Sequence, residues 1–392
     1  MGDRLSSQPR IVQIPISSLY VHIPFCLRKC PYCDFFSRPL DPAQMAAYPD
    51  LLIAQLEQEN RRSRWQGPFS TVFFGGGTPS LMHAADIGRI LQHADQLFGL
   101  TTDAEITLEA NPGTVTSESL FAYRAAGVNR LSFGVQSLND ANLARLGRIH
   151  SASEARQAFQ WARAAGFDNI SCDLIFALPD QLPEEALSDL EAMLQLAPEH
   201  LSCYGLGIEP DTPFARQLDN GELRPATEET YAEIFCLLHD KLVRDGFDHY
   251  EISNYAREGR QCLHNLHTWQ RHAYLGIGPG AHSFRTRDWG ERRFVPPDFE
   301  AYEVALARDR DPTALLETFD RNAAMAETVY LGLRCADGVD DRVFLRRFGI
   351  RFAEAFPHAI ERCGRRLTHR HGHWRLDLQG WLLFDHFIRD FL

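Results

Sequence analysis

A short apolar strand leads into a three-cysteine loop in the stretch LYVHIPFCLRKCPYC, residues 19–33. The apolar run at 19–23 predicts the strand. Cys26, Cys30 and Cys33 follow it at spacings of four and three residues. Three thiolates at these spacings can converge on one small object if the loop wraps around it. The chemistry of this chain is therefore expected directly after its first strand.

Strand-like runs alternate with helical segments through the first half of the chain. Six strands are predicted, at residues 19–23, 71–74, 105–109, 130–134, 169–176 and 201–206. Amphipathic helices are predicted between them, at roughly 43–62, 84–98, 117–126, 153–165 and 184–195. This alternation indicates βα units and a parallel sheet. We expect a partial (β/α)₆ barrel of the TIM type, while a doubly wound open sheet remains an alternative because one sequence does not give the strand order.

The pattern changes in the last quarter of the chain, which is expected to hold several helices, a hairpin at 366–378 and an apolar helix at 380–392. These elements predict a small α+β domain of winged-helix type. Three regions are accordingly expected. They are an N-terminal tail at 1–16, a barrel with a His-rich loop region at 17–290, and a C-terminal domain at 291–392.

Composition restricts the partners and the compartment. The 392 residues include 52 Asp and Glu against 40 Lys and Arg, a net charge of -12, which argues against nucleic acid as a partner. No run reaches the roughly 20 apolar residues that span a bilayer, so membrane contact is expected only through a partner protein. Six of the nine cysteines are scattered singly, which predicts a reducing, cytoplasmic location rather than a disulfide framework.

Three interpretations of the cysteine triplet are open. A structural zinc site needs four ligands, and His22 or Asp34 would have to supply the fourth. Three unrelated thiols in one exposed loop would be an oxidation liability. An iron–sulfur cluster held by three cysteines, with one iron open to a small chelating ligand, is favoured.

Polar residues recur where the next predicted strands end. The turn GGGTP at 75–79 follows the second strand, and a triple glycine lets backbone groups approach a ligand closely. Glu109, Gln136, Arg148 and Asp173 lie at or beyond the ends of later strands, where βα barrels build their sites. The guanidinium suits a carboxylate, and the carboxylates and the amide suit hydroxyl and amine groups.

The motif CxxxCxxC after the first barrel strand, in this company, resembles the radical S-adenosylmethionine (SAM) proteins. The resemblance implies that Cys26, Cys30 and Cys33 hold a [4Fe–4S] cluster whose fourth iron is chelated by SAM, and that a reductant protein supplies an electron. It also implies SAM contacts from Tyr20, Tyr32, Gly77, Thr78, Glu109, Gln136, Arg148 and Asp173.

A longer set of motifs resembles one branch of this superfamily. The set is YVHIPFCxxxCxYCDF, GGGTP, EANPGT, LSFGVQS, LGRxH, DLIxxLPxQ and IEPxTxF. The branch contains oxygen-independent coproporphyrinogen III dehydrogenase (HemN) and the heme chaperone HemW family. The resemblance to this branch covers residues 15–290 closely and the C-terminal region loosely. The dehydrogenase has a fourth Cys where this chain has Phe35, and a long extension where only 25 residues precede Cys26. Both features favour the HemW side.

The segment HNLHTW, residues 264–269, is similar to the HNxxYW motif linked to heme binding in that branch, with Thr268 in place of the tyrosine. Neutral imidazole is a common axial ligand of heme iron. His264 is the first candidate, followed by His267 and His272. For each, a purely structural role as a hydrogen-bonded loop or core residue stays open.

The resemblance therefore implies a heme chaperone that binds heme, the cluster and SAM and passes heme to an unidentified acceptor protein. It implies no dehydrogenase activity and leaves cleavage of SAM open. Two alternatives remain: radical decarboxylation of the two propionates of coproporphyrinogen III, and a zinc-stabilised binding module without redox chemistry.

Overall fold

A parallel sheet of six strands forms the centre of the molecule. The computed structural model describes residues 14–392, so most of the predicted N-terminal tail lies outside the described residues. The six strands are β1 (Ser18–Ile23), β2 (Phe69–Gly76), β3 (Leu100–Ala110), β4 (Arg130–Gln136), β5 (Ile170–Phe176) and β6 (His200–Gly205). Each is parallel to the next along the chain, which confirms all six predicted strands.

The order of the strands decides between the two expected architectures. From β1 to β6 the spatial order equals the chain order. A doubly wound sheet reverses direction at a switch point, whereas a barrel keeps winding the same way. The partial-barrel prediction is therefore confirmed. All six carboxyl ends consequently lie at one end of the barrel, called the rim below, and the amino ends at the other, called the floor.

Amphipathic helices cross over between the strands. They are α1 (Pro42–Arg61), α2 (Ala84–Phe98), α3 (Ser117–Ala125), α4 (Ala152–Ala164), α5 (Pro183–Leu194) and α6 (Glu228–Arg244). In α2 the buried residues Ile87, Ile90, Leu91 and Ala94 recur at helical spacing, so one face packs on the sheet. Side-chain caps begin α1, α3, α4 and α6, for example Ser151 with Glu154 at α4.

The sheet continues on both sides of the six strands. The added strands are β7 (Asp248–Glu251), β8 (Asn254–Ala256), β9 (Tyr274–Ile277), β10 (His282–Arg285), β11 (Glu291–Phe294) and β12 (Ala314–Thr318). The full order is β7-β8-β6-β5-β4-β3-β2-β1-β9-β10-β11-β12. Of the added strands only β9 pairs in parallel, with β1; the others form antiparallel pairs. Residues 254–284, which show little periodicity, thus contribute three strands.

The C-terminal part forms a second, smaller unit of secondary structure. Its three-stranded antiparallel sheet has the order β13 (Val339–Asp340), β15 (His373–Leu376), β14 (Leu367–Arg370). Its helices are Arg321–Gly332, Asp341–Phe348, Phe352–Ala355, Pro357–Cys363, Leu378–Leu382 and Phe384–Ile388. The preceding helix, Phe299–Ala307, packs against α1 instead, where Phe299 contacts Tyr48. The expected hairpin is present, and the expected terminal helix is broken into two short helices. The division of the chain at residue 290 stays a prediction, and β11 and β12 beyond it belong to the main sheet.

Short elements complete the chain. Two-residue strands pair Ile14–Pro15 with Trp65–Gln66 and Phe25–Cys26 with Arg38–Pro39. Short helices lie at Asp140–Arg145 and Pro213–Asp219, and α7 is Leu263–Trp269. Within residues 14–392, no helix combines the length and apolar character needed to cross a bilayer.

Candidate functional site

The cysteine loop is tied to the rim of the barrel at both of its ends. The strand pair Phe25–Cys26 with Arg38–Pro39 closes it. The backbone N–H of Leu40 donates to the Cys26 carbonyl at 2.9 Å, and the N–H of Cys33 donates to the Cys30 carbonyl at 3.2 Å. All three thiols are free and partly buried. The loop therefore presents its thiols as one group beside the ends of the parallel strands.

Donors from the barrel point at two of these thiols. The hydroxyl of Thr78 lies 3.6 Å from Sγ of Cys26, and Nη1 of Arg148 lies 3.3 Å from Sγ of Cys30. A Cβ on Gly77 would lie 3.0 Å from Sγ of Cys26, so a side chain at this position would crowd the thiol. Both barrel groups are hydrogen-bond donors, so the rim offers donors to the sulfur atoms of Cys26 and Cys30.

A cavity of about 540 Å³ opens beside the cysteine loop at the rim. All three cysteines line it, and so do seven of the eight residues predicted to contact SAM: Tyr32, Gly77, Thr78, Glu109, Gln136, Arg148 and Asp173. The eighth, Tyr20, lines an adjoining cavity deeper in the barrel. The volume suits a small organic ligand.

Two carboxyl groups lie together in the rim cavity. Burial, reinforced by the charge of Asp173, raises the pKa of Glu109 to about 8. Burial also raises the pKa of Asp173 to about 6. Oε2 of Glu109 accepts a hydrogen bond from the N–H of Gly76 at 3.1 Å. Near neutral pH the pair therefore offers both a donor and acceptors, which suits hydroxyl or amine groups.

Buried polar atoms without partners face this region. Oε1 of Gln136 and Nε of Arg148 are buried and accept or donate no hydrogen bond within the described structure. Gln136 also has a positive φ of 70°, an uncommon backbone conformation for a residue other than glycine. The Arg148 guanidinium additionally donates to the Gly134 carbonyl at 2.6 Å. Unpaired buried groups beside a cavity provide bonding capacity for a ligand.

His22 is already engaged by protein groups. Its Nε2 lies 3.0 Å from the Phe36 carbonyl, and its Nδ1 lies 3.1 Å from the Tyr20 hydroxyl. Burial lowers its pKa to about 4. In the described part of the chain, no three His, Cys, Asp or Glu side chains are grouped closely enough to hold a single metal ion. His22 is therefore not free to act as the fourth ligand of a zinc ion.

The helix α7 closes the floor of the barrel. The Glu105 carboxylate on β3 accepts from the N–H groups of Leu263 and His264, at 3.1 Å each. Thr71, on β2, lies 3.0 Å from Nδ1 of His264. Because these strand residues lie toward the amino ends, the HNLHTW segment is held at the opposite end from the cysteines. Glu105 is buried, and sequence reasoning did not single it out.

The three candidate heme ligands are distributed around α7 rather than gathered at one point. His264 lines the deeper barrel cavity of about 490 Å³, and burial lowers its pKa to about 3. His267 bonds with Ser18 at 3.0 Å through Nδ1. Its ring centre lies 5.1 Å from that of His272, which lines a separate cavity of about 690 Å³. His264 and His272 therefore face different cavities.

Two further residues of the HNLHTW segment have defined surroundings. The Thr268 hydroxyl donates to the His264 carbonyl at 3.3 Å, inside the helix. Trp269 lines both the deeper barrel cavity and the separate cavity, and its buried Nε1–H donates to no described group. Trp269 thus lies at the boundary between the two cavities.

Some lining residues of the rim were missed by sequence reasoning. They lie at the end of β6 and directly after it: Tyr204, Gly205, Leu206, Gly207 and Glu209. Their position at the end of the sixth predicted strand could have indicated them, because every parallel strand ends at this rim. Phe35, which stands where the dehydrogenase has its fourth cysteine, is 65 % exposed and lines both the rim cavity and the deeper cavity.

Comparison with known proteins first identifies the class, a radical SAM protein with a HemN-type C-terminal domain. The family described as the Radical SAM superfamily matches residues 20–193, and the HemN C-terminal domain matches residues 319–383. The solved structure of coproporphyrinogen III oxidase (HemN) from Escherichia coli superposes with a TM-score of 0.81, covering 97 % of this chain and 90 % of that one. At 23 % identity this match shows the shared fold.

Curated relatives then identify the family. Heme chaperone HemW of Haemophilus influenzae is 42 % identical over 290 residues, 71 % of this chain and 73 % of that protein. Heme chaperone HemW of Escherichia coli is 43 % identical over 275 residues, 69 % of this chain and 71 % of that protein. The chain therefore belongs to the HemW family of radical SAM proteins.

Proposed function

We propose that this protein is a heme chaperone, which binds heme, a [4Fe–4S] cluster and SAM and transfers heme to an acceptor protein. One observation carries the proposal. In a family whose relatives are named heme chaperones, this chain combines a three-thiol rim site with a His/Trp helix at the opposite end of the barrel. A cofactor site and a cargo site can then be occupied at the same time.

The residues at the rim fit the cluster and SAM. Cys26, Cys30 and Cys33 would hold three irons, with Thr78 and Arg148 as donors beside the sulfur atoms. When bound, the cluster supplies one electron to the sulfonium of SAM. The unpaired Gln136 and the Glu109–Asp173 pair would bind polar groups of SAM, since all three residues line one cavity. A reductant protein is required to supply the electron.

The histidines of α7 and the following turn fit heme ligation because they are neutral. Burial lowers the pKa of His264 to about 3 and that of His267 to about 4, and it also lowers the pKa of His272. Only the neutral imidazole offers a lone pair to iron. A cytoplasmic location is proposed as well, supported by nine free cysteines that suit a reducing compartment.

Anaerobic reconstitution with iron and sulfide tests the cofactor part. We expect about four irons held by three thiolates per chain. Stoichiometric zinc with no iron–sulfur cluster would establish the zinc-stabilised module instead. Iron, sulfide and zinc analysis, with absorption and electron paramagnetic resonance spectra, separates these outcomes.

Heme transfer and turnover test the chaperone part. Purified protein should bind about one heme per chain and lose it to an apo-heme protein on mixing, as followed by absorption spectra of the separated partners. The same protein with cluster and SAM should leave coproporphyrinogen III unconverted under reducing, oxygen-free conditions. Protoporphyrinogen IX formed at more than trace turnover would favour the dehydrogenase alternative.

A further inference from the structure

A cavity of about 690 Å³ lies on the side of α7 that faces away from the barrel interior. His264 and Thr268, one helical turn apart, line the barrel cavity, whereas Leu266 and Gln270 line this second cavity. Residues four apart share one face of a helix. The two cavities therefore lie on different faces of α7.

The second wall of this cavity comes from the C-terminal part of the chain, through residues 335–340 and the helix Asp341–Phe348. Much of the lining is apolar, with large side chains from both walls: Leu266, Trp269, Val339, Val343, Phe344 and Phe348. A mostly apolar cavity of several hundred cubic ångströms, with a few polar groups, is typical of a small-molecule site. The shape and lining suit a large, mainly apolar ligand.

Two arginines, Arg271 and Arg347, offer guanidinium groups to this cavity. Arg271 is 3 % exposed, and its Nη1 is buried with no partner among residues 14–392. Arg347 also lines the cavity, where burial, with the charge of Arg271, lowers its pKa. The nearby carboxylate of Glu327 is shared between Arg271 and Arg292. An anionic ligand would therefore gain charge-assisted hydrogen bonds here.

The acidic residues around the cavity are mostly engaged by other groups. Asp340 accepts from the N–H groups of Arg342 and Val343 at the start of its helix. Asp337 lies 3.5 Å from the guanidinium of Arg375. Asp248 is exposed. The charge of Arg271 is thus balanced by Glu327, whereas Arg347 forms a salt bridge with none of these carboxylates or any other group among residues 14–392.

His272 is the imidazole in this cavity that has no side-chain hydrogen bond among the described residues. His249 uses both ring nitrogens, toward His239 and the Ile252 carbonyl. His373 bonds with the Asp337 carbonyl. Burial lowers the pKa of His272, which favours the neutral ring. It is therefore available as a nitrogen ligand.

We propose that this cavity is the heme site, with the macrocycle against its apolar walls, the propionates at Arg271 and Arg347, and His272 as axial ligand. The proposal rests on the proposed function, because it locates the cargo of a heme chaperone. It places heme between the barrel floor and the C-terminal part, with α7 separating it from the cavity beneath the cluster.

The test is a heme titration of the purified full-length protein, followed by absorption spectra, and a parallel titration with iron-free protoporphyrin IX. His272→Ala should weaken heme binding about tenfold or more, while protoporphyrin IX, which needs no axial ligand, keeps its affinity. Arg347→Gln should weaken both by about tenfold, because both carry propionates. The matched control is Arg346→Gln, an exposed neighbour that does not line the cavity.

Arg271 is left unchanged in this test because its buried ion pair with Glu327 supports the fold. His264→Ala should weaken heme binding less than His272→Ala does, because His264 lines the barrel cavity on the other face of α7. If His264→Ala abolishes heme binding while His272→Ala and Arg347→Gln bind like the wild type, the cavity assignment is wrong and the heme chaperone proposal stands. If the wild type binds no heme, both proposals are wrong.

Discussion

The two ends of the barrel differ in the chemical groups that they present and in the elements that carry these groups. At the rim, loops that leave parallel strands bring thiols, carboxyl groups and a guanidinium around one cavity. At the floor, a single short helix lies on a buried carboxylate, Glu105, and presents neutral histidines. The rim has charged and unpaired groups ready for a reactive cofactor, whereas the floor has the neutral ligands and apolar walls that suit binding. Under the proposed function, one barrel would separate cofactor chemistry from cargo binding.

The largest effect is expected on the cluster content of the rim site, when one of the three thiols is removed. Cys30→Ala leaves two thiolates, too few to hold the cluster, so reconstituted protein should lack its iron–sulfur absorption. Cys172→Ala is the matched control, because Cys172 is fully buried on β5 and away from the loop. Iron and sulfide analysis after anaerobic reconstitution measures the difference. A full cluster in the Cys30 variant would exclude this ligand assignment.

The next largest effect is expected on the free energy of unfolding, when the carboxylate that holds α7 at the floor is removed. Glu105→Ala leaves the N–H groups of Leu263 and His264 without their acceptor. Unpaired buried donors cost about 3 kcal/mol together, which should lower the free energy of unfolding by that amount. Glu57→Ala, at an exposed position of α1, should change it by less than about 0.5 kcal/mol.

Denaturant unfolding of the two Glu variants checks this prediction. Equal stability of the two variants would show that the carboxylate of Glu105 does not anchor α7. The cluster content of Glu105→Ala, measured at low temperature where the chain is folded, should match the wild type. This last measurement tests whether the two ends act independently.

A smaller effect is expected on ligand affinity, and it should distinguish the rim from the floor. Arg148→Ala removes a charged donor from the rim cavity, so SAM affinity should fall by about 1.5–3 kcal/mol, while heme affinity stays as in the wild type. Calorimetric titrations of the reconstituted protein with each ligand measure both affinities. Arg308→Ala, exposed and outside the rim, is the control. Unchanged SAM affinity in Arg148→Ala, with the cluster intact, would remove Arg148 from the SAM site.

A further effect at the rim concerns pH. The pKa of Glu109 is about 8 in the fold against the ordinary 4.5. Between these values the unfolded chain is deprotonated while the folded chain keeps the proton, so the free energy of unfolding falls as pH rises from 4.5 to 8. Glu109→Gln removes this contribution, so the variant should gain stability relative to the wild type at pH 8 but not at pH 4.5. Parallel stability–pH curves for the two proteins would contradict the assignment.

The accuracy of the sequence predictions differs between the regions of the chain. All six barrel strands and the order of helices are confirmed, because alternation of apolar strands and amphipathic helices is a local signal. The strands at residues 254–284 were not expected. Tyr274–Ile277 is only four residues long and is defined by its pairing with Ser18–Val21, from the other end of the barrel sequence. No local pattern reports such a pairing.

The spacing of the three cysteines and the polar residues at the strand ends were sufficient to predict one rim cavity, because carboxyl ends of parallel strands must meet. The placement of the histidines needed the tertiary structure. His264 and His272 lie eight residues apart in the sequence, yet they line different cavities. The contacts that separate them come from Glu105, Thr71 and the helix Asp341–Phe348. Spacing along the chain determines which groups can lie side by side within one element, but packing between distant segments decides which cavity each group faces.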